Sequence, residues 1–126
     1  MNDKVNALNW FEIAVSDINR AKKFYEEVFG IKMEVNEMMG MKMAFFPADM
    51  SSKVGGSLVQ SSTHKPSMDG AVIYLNANPD LSVALGKVEK AGGKVAMPKM
   101  HINDETGYMG FFIDSEGNKV GMHSNK

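Results

Sequence analysis

The chain of 126 residues has no cysteine, only four prolines, one tryptophan and no excess of either charge. Without thiols it can build neither a disulfide framework nor a thiolate zinc site, and it has no cysteine nucleophile. Its 14 lysines and arginines face 15 aspartates and glutamates, for a net charge of -1. With no run of like charge, the footprint needed to bind a phosphate backbone is missing, so nucleic acid is not an expected partner. Nowhere do eighteen apolar residues run together, and Met1-Asn2-Asp3-Lys4 lacks a basic start followed by an apolar segment. The expectation is a cytoplasmic protein without a membrane partner. Gly-x-Gly-x-x-Gly, Walker, Gly-x-Ser-x-Gly and His-Glu-x-x-His motifs are also absent, which disfavours nucleotide cofactors and serine hydrolysis.

What is present is enough for one core: 44% of the residues are hydrophobic, and a chain of this size buries roughly two thirds of its unfolded surface. Twelve residues are methionine, among them Met33, Met38, Met39, Met41, Met43 and Met50. Such a cluster either lines an adaptable apolar pocket or fills an irregular core.

Leu8 to Val15 alternates as a strand, with Phe11, Ile13 and Val15 on one face and Trp10, Glu12 and Ala14 on the other. Ser16-Asp17 then offers a helix cap. Ile18, Ala21, Tyr25 and Val28 recur at helical spacing up to Gly30, and Phe24 and Phe29 widen the stripe. Ile31 to Met38 and Met41 to Pro47 read as a hairpin, and Val54 to Gln60 as a fourth strand with paired glycines. Residues 61–69 have linker composition.

The pattern then repeats. A strand over Ala71 to Ala77 leads into Asn78-Pro79-Asp80, followed by Leu81, Ala84, Leu85 and Val88 at helical spacing, with Gly92-Gly93 as the stop. Three more strands follow at Lys94 to Met100, Tyr108 to Ile113 and Lys119 to His123. Val15 and Ala77 end the first strands, Gly30 and Gly92 end the helices, and both pairs lie 62 positions apart. The chain thus reads as a single domain over 1–126, built of βαβββ modules at 8–60 and 70–124. Neither module can cover both faces of its sheet alone, so the two should share one α+β structure with a concave ligand surface.

Trp10-Phe11-Glu12-Ile13-Ala14-Val15-Ser16-Asp17, Arg20-Ala21, Phe24-Tyr25 and Phe29-Gly30 resemble the opening of the vicinal oxygen chelate superfamily, which includes glyoxalase I, bleomycin and fosfomycin resistance proteins and extradiol dioxygenases. Asp114 to Gly121 is similar to its closing turn and last strand, and Ala91-Gly92-Gly93-Lys94-Val95 to its second-helix exit. The resemblance implies a cup-shaped mixed sheet of the glyoxalase/bleomycin resistance/dihydroxybiphenyl dioxygenase type and, as in many relatives, a homodimer. It also implies a divalent ion held by one His, Glu or Gln on each of the first, fourth, fifth and eighth strands. Here those positions fall on Trp10, within Gly56 to Leu58, near Val72 and on Gly121, none of which is a strong ligand. The expectation is no metal and no other cofactor.

By alternation Glu12 shares the face of Trp10, and His123 that of Gly121, so both should point into the cup. Three readings stay open for them: a structural hydrogen-bonded pair, a general base with its partner, or a displaced ion site. Trp10, Tyr74, Asn76, Met43 and His101 are candidate ligand contacts, while His64 in the linker reads as solvated. Two functions follow. One is a glyoxalase-like lyase or isomerase that uses Glu12 as base on a small carbonyl- or oxygen-rich metabolite. The other is a non-catalytic, bleomycin-resistance-like binding protein for a drug or metabolite.

Overall fold

The computed structural model describes residues 1–126. The first module runs β1 (Trp10–Ala14), α1 (Ile18–Phe29), β2 (Val35–Met38), β3 (Met41–Phe45), β4 (Gly55–Gln60). The second runs β5 (Tyr74–Asn76), α2 (Leu81–Leu85), β6 (Lys94–Asn103), β7 (Gly107–Ile113), β8 (Lys119–Ser124). They form two four-stranded mixed sheets, ordered β1-β4-β3-β2 and β5-β8-β7-β6, in which the first strand of each module pairs in parallel with the last.

α1 forms where the sequence places it. The Asp17 carboxylate accepts from the N–H groups of Asn19 and Arg20, and Gly30 closes the helix at φ 64° by donating to the Glu26 carbonyl. Ile18, Ala21, Phe24, Tyr25 and Val28 are buried along one stripe. α2 starts in the same way, on Asp80, yet its regular turns end at Leu85 rather than Gly92. From Gly86 onward, bonds from Lys87 to Ala84 and from Val88 to Leu85 tighten the chain into i to i+3 turns, although Val88 stays fully buried.

The repeat persists in the hydrogen bonds. Val15 N–H donates to Val59 at 2.9 Å, and its counterpart Ala77 donates to His123 at 2.8 Å. The first amide of each helix is met from the last strand of its module: Ile18 N–H by the Gln60 side-chain oxygen at 2.8 Å, Leu81 N–H by the Ser124 hydroxyl at 2.9 Å.

Eighteen buried residues from both modules make one core on the helix side of the two sheets. Phe24 and Tyr25 of α1 meet Phe112 of β7 at centroid distances of 5.9 and 6.1 Å. The turn between β7 and β8 clasps the first module. Tyr25 donates to Asp114 at 2.7 Å, Asn118 donates to the Ala14 carbonyl at 2.7 Å, and Glu116 accepts from the Ser16 and Asp17 amides and from Arg20. Burial, first, and the neighbouring Asp114 carboxylate push the Tyr25 hydroxyl well above its ordinary range, so it remains the donor. Burial alone would raise Glu116. The bonds from Arg20, the Asp17 amide, Ser115 and the Ser16 amide outweigh it and hold the carboxyl below its usual range.

Several elements are shorter or longer than the sequence implies. β2 begins at Val35 rather than Ile31, and Ile31 packs against the core instead. β5 keeps only three residues, Tyr74–Asn76, paired with Gly121 to His123 of β8, although Ile73 and Ala77 on either side still bond to that strand. β6 runs three residues past Met100 along β7, through register shifts that take up its extra length. The methionines do not line one pocket. Met33 and Met43 are buried, whereas Met38, Met39 and Met50 are exposed on the β2–β3 hairpin and the loop after β3.

Candidate functional site

The alternate face of each sheet is turned away from the shared core. On the first sheet it carries Trp10, Glu12 and Ala14 from β1, Gly55, Ser57 and Val59 from β4, and Met41, Met43 and Phe45 from β3. Trp10 lies against Phe45 at 5.9 Å, and Glu12 stands opposite Ser57 in the parallel ladder. The Ser57 hydroxyl is fully buried and has no hydrogen-bond partner.

Glu12 does find a partner, and it is not His123. The linker returns over the sheet end through a bridge between Ser61 and His64, which brings His64 Nε2 to 2.8 Å from Glu12 Oε1. The other ring nitrogen, Nδ1, lies 2.8 Å from the Ser61 hydroxyl. Both side chains are partly covered, with 25% of His64 and 34% of Glu12 exposed. The reading of His64 as a solvated linker residue is therefore corrected: a bond across 52 positions holds it. His123 belongs to the other sheet, where its Nε2 meets the Thr106 carbonyl. The expected Glu12–His123 pair does not form, because alternation fixes the face of a strand but not which sheet faces which.

Of the remaining candidates, Tyr74 and Asn76 border one cleft, and Met43 and His101 lie apart from it. Tyr74 is 48% exposed and lies over Gly121 and against Phe111, rather than in the core. Asn76 turns its carboxamide oxygen to its own loop, accepting from the Asn78 backbone N–H and side chain. Met43 is buried, and His101 lies exposed on β6 beside Tyr108 and Asp104. A hollow of about 1040 Å³ forms a cleft between the edge strands β1 and β5. Phe11, Phe29, Ile31, Phe46, Ile73 and Leu75 wall it, and neither Glu12 nor His64 reaches it.

The positions at which the resemblance implies an ion do not fit one. Trp10, Val72 and Gly121 offer no lone pair, and Ser57 offers a single neutral hydroxyl. A side chain at Gly121 would also have to displace the exposed Tyr74 ring, which lies 2.5 Å from where a Cβ would stand. No three His, Cys, Asp or Glu side chains gather anywhere as a ligand set. No helix is long and apolar enough to cross a membrane.

Comparison with known proteins agrees with this architecture. The chain is 29% identical over 117 residues to a putative glyoxylase, CFP32, of Mycobacterium bovis, covering 90% of this chain and 44% of that protein, so it spans less than half the length of that relative. It is 31% identical over 116 residues to a glyoxylase-like domain-containing protein of Didymella fabae, covering 88% of each. Among solved structures, a glyoxylase/bleomycin resistance protein/dioxygenase domain from Frankia superposes with a TM-score of 0.71 at 12% identity, covering 97% of this chain and 99% of that one. A glyoxalase I mutant from Zea mays superposes with a TM-score of 0.67 at 19% identity, covering 92% and 45%. Residues 7–122 match the family model itself, and with the paired βαβββ modules they show that the chain belongs to the Glyoxalase/Bleomycin resistance protein/Dioxygenase superfamily.

Proposed function

We propose that the protein binds a small carbonyl compound beside Glu12, on the face of the first sheet turned away from the core, and acts on it as an isomerase or lyase, with Glu12 as base and His64 as its partner. The observation that carries this reading is the Glu12–His64 contact of 2.8 Å on a face otherwise lined by Trp10, Met43 and Phe45. A carboxylate held in place by an imidazole can take a proton from carbon next to a carbonyl, leaving the electron pair in the enolate, and the imidazole can return a proton to oxygen. Trp10 supplies a flat wall for such a ligand. No step is routed through a divalent ion, since the residues at the family's ligand positions do not suit one.

A second copy of the chain would complete the site: Glu12 keeps 34% of its side chain exposed although Ser57, Val59 and Met43 beside it are buried, and Tyr74 of the second sheet stands exposed. Sedimentation showing a dimer supports that part, and a monomer at micromolar concentration opposes it.

The test is a panel of α-hydroxy- and α-keto-carbonyl compounds assayed with and without EDTA. Turnover should survive the chelator and fall by about 100-fold or more in Glu12→Gln. Turnover unchanged by Glu12→Gln would remove Glu12 from the chemistry.

The cleft of about 1040 Å³ favours a second reading, capture of an apolar molecule without reaction. Stabilisation by an apolar probe that is lost in Phe46→Asp but kept in Glu12→Gln would support it.

A further inference from the structure

We propose that a pocket at the end of the first sheet, next to His64, binds a small oxyanion: the phosphate or carboxylate group of a metabolite. The pocket, about 380 Å³, lies where β3 begins, β4 ends and the linker crosses back. Its wall is made by Lys42, Gln60, Ser61, Ser62, His64 and Lys65, together with Val15, Ser16, Gly40 and Pro66.

The donors here greatly outnumber the acceptors. Neither lysine is in an ion pair, and Glu37, which faces Lys42 across the β2–β3 ladder, makes none with it. Gln60 has its oxygen committed to the Ile18 amide, so its NH2 group is the end left without a partner. Ser62 makes no side-chain hydrogen bond, and the wall contains no carboxylate. Two lysines, a carboxamide whose NH2 end is free and the Ser62 hydroxyl border one concavity and make a donor set suited to an oxygen anion and unsuited to a cation. Ser61 and His64 are already fixed by the bridge that also seats His64 on Glu12, so one side of the pocket is preformed.

This site goes beyond the acid–base reading and does not rest on it, because it needs Lys42 and Lys65 rather than Glu12. The test is a titration of the full chain with inorganic phosphate, and separately with acetate, at constant ionic strength set by sodium chloride, followed by amide and imidazole NMR shifts. Saturating shifts at Ser61, Ser62, Lys65 and the His64 ring are expected with at least one of the two, and the one that saturates identifies the group. Lys42→Ala and Lys65→Ala should each weaken binding roughly tenfold, while Lys87→Ala, far from the pocket, should leave saturation in place. Lys42→Gln, which keeps the length of the strand residue, guards against a folding defect and should weaken binding similarly. Shifts that rise without saturating for both anions, or that saturate unchanged in the two lysine variants, would overturn the proposal whatever the fate of Glu12.

Discussion

In the first module Glu12 and Ser57 stand opposite each other in the parallel ladder; in the second, the corresponding places hold Tyr74 and Gly121. The backbone around them is the same. Val15 and Ala77 donate to equivalent carbonyls, and Gln60 and Ser124 each satisfy the first amide of a helix. What changes is the chemistry of the face turned away from the core: a carboxylate with a histidine partner on one side, an exposed aromatic ring over a glycine on the other. The comparison teaches that the scaffold constrains hydrogen bonds to backbone, while the positions turned away from the core differ in the reactive groups they carry.

The sharpest way to break this comparison is to disturb the clasp that joins the modules. Glu116 accepts from two backbone amides and from Arg20, so Glu116→Ala strands those donors and should cost about 3 kcal/mol in urea unfolding. The carboxyl is held below the 4.5 of a free glutamate, so its contribution is fully present above that pH and is lost as pH falls through the lower folded-state value. Glu116→Gln should therefore flatten the loss of stability on acidification below about pH 5. An unaltered pH profile would mean that the clasp contributes little.

Next in size is a pair of glycine replacements. In each module an aromatic ring of the first strand lies over a glycine of the last, Phe11 over Gly56 and Tyr74 over Gly121, and in both cases a Cβ would stand 2.5 Å from the ring. Phe11 is packed against the core, whereas Tyr74 is exposed and can swing away. Gly56→Ala should cost about 2 kcal/mol and Gly121→Ala less than about 0.5 kcal/mol, measured as thermal or urea stability. Equal costs would show that the two faces are not different environments.

The smallest effect sharpens the comparison by its sign. Ser124→Ala removes the acceptor for Leu81 N–H and should destabilise by about 1 kcal/mol. Ser57→Ala removes a buried hydroxyl with no partner and should be neutral or stabilising by a few tenths of a kcal/mol.

Much of this fold was legible in the chain itself. The Asp17 and Asp80 caps, the Gly30 stop and the spacing of 62 between modules rest on local rules that neighbouring residues enforce. The second helix was overdrawn because its buried stripe continues to Val88 after the regular turns have ended at Gly86. At the candidate site, alternation placed Trp10 and Glu12 on one face, but it could not show that His64 crosses back to meet Glu12. That contact is long-range, and Ser61-Ser62-Thr63-His64 has the composition of an ordinary loop. The one signal in the sequence was a histidine just beyond the strand that pairs with Glu12. The clasp was hidden for the same reason: Asp114, Glu116 and Asn118 read as a polar turn, and only the packed modules reveal that the turn is buried against α1.

The account turns on whether Glu12 and His64 act together on a carbon-bound proton. The most direct measurement is solvent deuterium incorporation next to the carbonyl of an α-hydroxy ketone, followed by proton NMR in D2O for the wild type, Glu12→Gln and His64→Gln. The account predicts exchange catalysed by the wild type, reduced by about 100-fold or more in Glu12→Gln and by a smaller factor in His64→Gln. Exchange at the same rate in all three proteins, or none above buffer with the wild type, would contradict it.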